Sequence, residues 1–224
     1  MRSRAITLPT GHEIPVSGLL ACGWASSLLY VVTDIVGALS YPGYDYTGQA
    51  ISEMSAIGAP TADLLAPLTT LYSILFALFG AGVWIAAGRR RALRWSAGCM
   101  IALAALGIGW ALSPMHARGH ETTLTDTMHL VLSAASVSLL VAIILSGAVA
   151  FGSKFRLYSA ATVIAMLLFG YLTTLDVPSV AAGLPTPWLG LNERLSFVAW
   201  LLWMAVLSIM LLRSPPKLDD VRPT

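Results

Sequence analysis

The chain has 224 residues, of which 57% are hydrophobic and only 11% charged, with a net charge of +2 and a mean hydropathy of +0.77. Soluble domains carry roughly 25% charged residues, so this composition excludes an ordinary soluble enzyme and indicates a polytopic membrane protein. The small positive excess argues nothing for nucleic acid, because the basic residues fall where membrane topology puts them.

A span of the bilayer core needs about 20 mostly apolar residues. Six stretches qualify, at about 16–40, 64–87, 95–113, 125–151, 157–175 and 191–212, which predicts an all-α bundle of six transmembrane helices forming one domain over 1–224. The first span lies behind "MRSR", but its apolar run is too long for a signal-peptide core and Asp34 interrupts it, so a retained helix is expected. Arg2 and Arg4, the cluster Arg89, Arg90, Arg91 and Arg94, then Lys154 and Arg156, and finally Arg213, Lys217 and Arg222 make eleven of the 13 basic residues, all on one side of six spans. The positive-inside rule then puts both termini in the cytoplasm. Cys22 and Cys99 fall in the inner halves of their spans and read as packing residues, and Trp84, Trp95, Trp110 and Trp188 fit the interfacial aromatic belts.

The opposite face is acidic. The first outer loop, "YPGYDYTGQAISEMSAIGAPTADL", breaks the first helix with Pro42 and Gly43, repeats Ile51, Met54, Ser55 and Ile57 at helical spacing, and stops at Gly58 and Pro60. This pattern predicts a short interfacial amphipathic helix, with Ser52 and Glu53 beside its apolar stripe, facing either solvent or a cation or lipid headgroup. The second outer loop, "SPMHARGHETTLTDTMH", holds three of the four histidines. Asp126 and His129, three apart, share a face at the start of the fourth span, and His129 is expected to point into the bundle and be tied to the first outer loop. His116 and His120 have chelating spacing, but Pro114 and Gly119 disfavour a helix there, so a wet loop is expected. "NER" at 192–194 opens the last span. Arg194, a rare base on this face, is the natural ion-pair partner of Asp34, Glu53 or Asp126, and pairing with Glu53 or Asp126 is expected because a charge near hydrocarbon is costly when unpaired. Arg118 is the only other base there.

"YPGYDYTGQAISEMSAIGAPTADLLAP", "LTDTMHLVLSAAS" and "LNERLSFVAWLLW" resemble three recurring patches of a bacterial and archaeal membrane family known as domain of unknown function nine-nine-eight, itself regarded as distantly similar to the Frag, DRAM and Sfk group. The resemblance runs from about Gly18 to Leu212. It implies a six-span integral membrane fold with Ser52, Glu53, His129 and Arg194 on recurrent positions. Members commonly carry an aspartate after the proline ending span three, where this chain has Met115 and His116.

Three functions stay open on the sequence. A lipid- or partner-binding assembly component would use the polar outer mouth, with membrane lipids or another membrane subunit as partner and no nucleic acid. Ser52, Glu53, Asp126, His129 and Arg194 are the candidate catalytic groups of the outer face, and a metal-dependent, ceramidase-like intramembrane hydrolase would use Ser52 and Asp126 with His116, His120 and His129 as candidate zinc ligands. A metal-handling or transport protein would combine those histidines with Met54, Met115 and Met128 around copper. The three histidines are expected to do separate jobs.

Overall fold

Inside hydrocarbon every backbone N–H and C=O must be paired within the chain, so the apolar stretches fold as helices. The computed structural model describes residues 5–7 and 13–213. Arg2, Arg4, Lys217 and Arg222 of the topology argument lie outside them. A minimal antiparallel ribbon of β1 (Ala5–Thr7) and β2 (Glu13–Pro15) leads into α1 (Val16–Ser40). A 3-10 turn (Ile51–Ser55) precedes α2 (Ala62–Ala87), α3 (Arg91–Ala111), α4 (Leu124–Val149), α5 (Ser153–Leu175), the single-turn α6 (Val177–Ala181) and α7 (Leu189–Arg213). Six of the helices are long and apolar enough to cross a membrane. The chain is a multi-pass membrane protein.

Two differences from the sequence-based boundaries have a physical cause. α3 and α5 start at Arg91 and Ser153 instead of about 95 and 157. Their first turns carry Arg91, Arg94, Lys154 and Arg156, whose long stems let the charge reach water while the backbone stays helical. The helix expected in the first outer loop is a single 3-10 turn, and it does not lie flat on a surface: Glu53 and Met54 are 3% and 1% exposed.

The helices pack in the cyclic order α1, α2, α3, α4, α5, α7, with α7 closing against α1. Lipid tails are as apolar as leucine, so burial alone does not hold such helices together; close packing and interhelical hydrogen bonds do. Ser27 donates to the Leu201 carbonyl at 3.0 Å and Ser208 to Leu20 at 2.6 Å, joining α1 to α7. Ser96 donates to Ile143 at 3.0 Å between α3 and α4, and Ser196 to Met166 at 2.9 Å between α7 and α5. Gly82 lets α2 approach the backbone of α1, since a methyl group there would meet the Leu19 carbonyl carbon at 3.0 Å. Around these contacts Phe79, Val83, Met100, Ile143, Trp203, Met204 and Leu207 are completely buried.

That core lies towards the end of the bundle bearing the arginine cluster, here called the basic end. Towards the other, loop end, the α4–α5 side opens. Leu130, Val137 and Ile144 follow one face of α4 at seven-residue steps, yet their exposures are 46%, 37% and 0%. No α4 residue before Ile143 and no α5 residue after Met166 is buried. The hydrogen bond from Arg156 to Val149 at 3.4 Å crosses at the turn, and none crosses nearer the loop end among the described residues.

Candidate functional site

Three loops, 41–61, 112–123 and 176–188, cover the loop end, and one side chain ties them together. Arg118 gives Nε to Glu53 Oε2 at 2.8 Å and Nη2 to Oε1 at 2.7 Å, a bidentate pair. It also donates to the Gly48 carbonyl at 3.2 Å, to Thr186 Oγ1 at 3.3 Å and to the Leu184 carbonyl at 3.5 Å. Glu53 is further held by the Ala50 N–H at 2.9 Å and Gln49 Nε2 at 3.1 Å. Burial pushes the Glu53 carboxyl up, but the bonds from Arg118, Ala50 and Gln49 outweigh it and hold it below the usual carboxylate range. The same carboxylate, ahead of the cost of burial, raises the proton affinity of Arg118. Thr186 donates to Gly48 at 2.7 Å, Gly119 N–H to Val180 at 3.0 Å and Ile57 N–H to Met115 at 2.8 Å, completing the weave.

Beneath it lies a second charge centre. Arg194, only 6% exposed, gives Nε to Asp34 Oδ2 at 3.1 Å, and its Nη2 is 2.9 Å from Oδ1 as a charge contact without hydrogen-bond alignment. Nη1 donates to the carbonyls of Tyr46 at 2.8 Å, Gly190 at 3.1 Å and Gln49 at 3.3 Å, and Nη2 to the Tyr44 hydroxyl at 3.0 Å. The guanidinium lies 3.7 Å over the Tyr46 ring, whose hydroxyl donates to Asp34 at 2.6 Å. This satisfies a planar cation that the bilayer would otherwise exclude. Gly190 is required for it: a methyl group there would collide with the Gln49 carbonyl and sit 2.8 Å from Arg194 Nη1. Next to it, Glu193 accepts the Ile51 N–H at 2.6 Å, anchoring the 3-10 turn to α7.

The third group is at the start of α4. Asp126 accepts from Thr123 N–H at 2.9 Å and Thr123 Oγ1 at 2.8 Å, an N-terminal capping arrangement. It also takes the His116 N–H at 2.7 Å and approaches His116 Nδ1 at 3.0 Å, stapling the second loop to α4. His120 Nδ1 approaches the Ala117 carbonyl at 3.1 Å and its ring stacks on His116 with centroids 6.1 Å apart, and His129 Nδ1 meets the Ser113 carbonyl at 3.1 Å while its ring stands edge-on to Trp110. Asp126, His129, Ser133 and Ser136 are all half-buried on one side of α4, whereas Met128, Leu130, Val131 and Val137 are exposed. Ser113 Oγ and Ser136 Oγ are buried without a hydrogen-bond partner among the described residues.

The expected convergence of Glu53, Asp126, His129 and Arg194 into one cluster gives way to three adjoining centres. Arg194 pairs with Asp34 instead of Glu53 or Asp126, because Arg118 already occupies Glu53 and His116 occupies Asp126. His129 is bound to the end of α3, and the link from the second loop to the first runs through Met115 and Arg118. His116, expected to be loosely held, is fixed twice by Asp126. Ser52 is half-buried and its hydroxyl makes no hydrogen bond among the described residues. Each imidazole has a different hydrogen-bond partner, although His116 and His120 stack on one another, and no group of three His, Cys, Asp or Glu side chains converges among the described residues. Arg118, Tyr44, Tyr46 and Thr186 were not singled out by sequence as site residues. The scarcity of bases on an acidic face was the available signal for Arg118.

A six-helix membrane bundle whose polar end is closed by buried arginine–carboxylate pairs defines the class. The chain belongs to the family described as "Protein of unknown function (DUF998)", whose model matches residues 24–210. No curated protein and no solved structure matches it.

Proposed function

We propose that this protein is a lipid-binding component of the membrane that receives an amphiphile between α4 and α5 at the loop end, the outer face of an inner membrane under the positive-inside rule. The observation that carries the reading is the face Leu130, Val137 and Ile144, apolar throughout but buried only at Ile144. Beside it runs the half-buried polar line Asp126, His129, Ser133 and Ser136, with Ser136 Oγ unpartnered. Polar groups concentrated above an apolar wall match a headgroup over an acyl chain. The 112–123 and 176–188 loops meet above this side through Gly119 and Val180, so an occupant has to end beneath them. A lipid of one leaflet does so, whereas a partner helix would have to continue. The charged centres of the cap are consumed by their own partners and act as a rigid roof.

The test is the lipid that copurifies with the protein in mild detergent. Val137→Trp, which fills the apolar wall, should lower the retained lipid per protein while leaving the melting temperature within a few degrees. Unchanged retention, or replacement of the lipid by a second polypeptide, counts against the reading.

One observation favours a second reading. His116 Nδ1 faces Asp126 at 3.0 Å, the relation of a base to its orienting carboxylate, and the hydrolase alternative would use that pair on the headgroup of the same lipid. Release of a water-soluble headgroup, abolished by His116→Gln, would promote it.

A further inference from the structure

Arg89, Arg90, Arg91 and Arg94 stand where α2 gives way to α3, and none of them is in an ion pair among the described residues. Arg90 spends one N–H on the Ala86 carbonyl at 3.2 Å, and the Arg94 guanidinium lies 4.7 Å over the Trp84 ring. Arg91 and Arg94 border a groove of about 590 Å³ along the α2–α3 seam, with Trp84, Trp95 and Gly98 also in its walls. The groove shares Trp84 with an apolar hollow of about 310 Å³ formed by Ala81, Ile85 and Ile101. Trp84, Trp95 and Ile101 are 41%, 72% and 44% exposed, so this side of the bundle faces lipid.

We infer that this groove is a binding site for one anionic phospholipid, at the opposite end of the protein from the proposed amphiphile site and independent of it. Among the described residues the charge is complementary and uncompensated by a carboxylate: Arg91 and Arg94 present planar donor forks to a phosphate. The apolar continuation selects a lipid over a free anion, because Gly98 leaves room for an acyl chain that runs on past Trp84 to Ile101. Both tryptophans lie at the level where amphipathic rings prefer the interface. The arginines themselves are not needed to hold the helices, since the α2–α3 contact rests on packing such as Gly80 against Met100.

Native mass spectrometry of the full chain in an equimolar mixture of phosphatidylglycerol and phosphatidylcholine tests this. The wild type should keep one phosphatidylglycerol in preference to phosphatidylcholine. The double variant Arg91→Gln, Arg94→Gln should lose that preference by about tenfold or more, on the usual contribution of interfacial bases. Gly98→Leu, which fills the groove with the charges intact, should weaken retention too, while Arg89→Gln with Arg156→Gln should not, and millimolar inorganic phosphate should fail to displace the lipid. Equal retention of the two lipids overturns the site. So does equal loss in the Arg89, Arg156 control, which would mean unspecific charge, or displacement by phosphate, which would mean an anion site without an acyl groove. If Gly98→Leu does not fold, the two arginine pairs decide alone. Loss of the lipid at the loop end in Val137→Trp leaves all these outcomes unaffected.

Discussion

Arg118 holds both oxygens of Glu53, Nε to Oε2 at 2.8 Å and Nη2 to Oε1 at 2.7 Å, across 65 positions of sequence. The pair joins the second loop to the first, and the remaining donors of Arg118 reach the third, so one guanidinium fixes the relative position of all three.

Removing one member of a buried pair leaves the other charge unpaired and costs about 3–5 kcal/mol. Glu53 is buried while the Arg118 side chain is 24% exposed, so Arg118→Ala should lower unfolding stability by up to that amount and raise hydrogen exchange in all three loops together. Arg118→Lys, a single point charge that cannot form the fork, should recover only part. Exchange rising in the second loop alone would show that Arg118 is not the common tie.

Arg194 and Asp34 should behave as a unit. Arg194→Met strands Asp34 beneath the cap and should cost about 3–5 kcal/mol, while the double variant Arg194→Met, Asp34→Leu should be less destabilised than the single one. Additive losses in a double-mutant cycle would mean that the two side chains are not coupled.

Part of the pH dependence follows from Glu53. Its folded-state proton affinity is depressed, so its contribution is fully present above the unfolded carboxylate value of about 4.3 and is lost as pH falls through the lower folded value. Melting temperatures of the wild type should fall through that acidic window, and Glu53→Gln should flatten this part of the profile after lowering stability at neutral pH. A Glu53→Gln profile parallel to the wild type at every pH would show that Glu53 contributes nothing to it.

The six spans were legible because a helix crossing hydrocarbon announces itself by length and composition. The early starts of α3 and α5 were not, since a hydropathy reading stops at Arg91, Arg94 and Lys154 although their backbone is helical. Arg194 was legible as a cation needing a partner, but the choice among Asp34, Glu53 and Asp126 depends on how the loops fold over one another. Arg118 sits between Pro114 and Gly119 with no periodicity around it, and its partners leave no local trace. The opening beside α4 was invisible for a different reason: Leu130, Val137 and Ile144 are equivalent in sequence, and only the folded bundle separates them, leaving the first two exposed and burying the third.

The most direct test of the account is where a membrane lipid touches the protein. A phospholipid with a photoactivatable diazirine in the upper part of its acyl chain, incorporated in a bilayer with the full chain, should give crosslinked peptides concentrated on α4 from Leu130 to Val137 and on the facing part of α5. Those crosslinks should diminish in Val137→Trp. Crosslinks spread evenly over the exposed apolar positions of all six spanning helices, and unaltered by that substitution, would contradict a lipid site between α4 and α5.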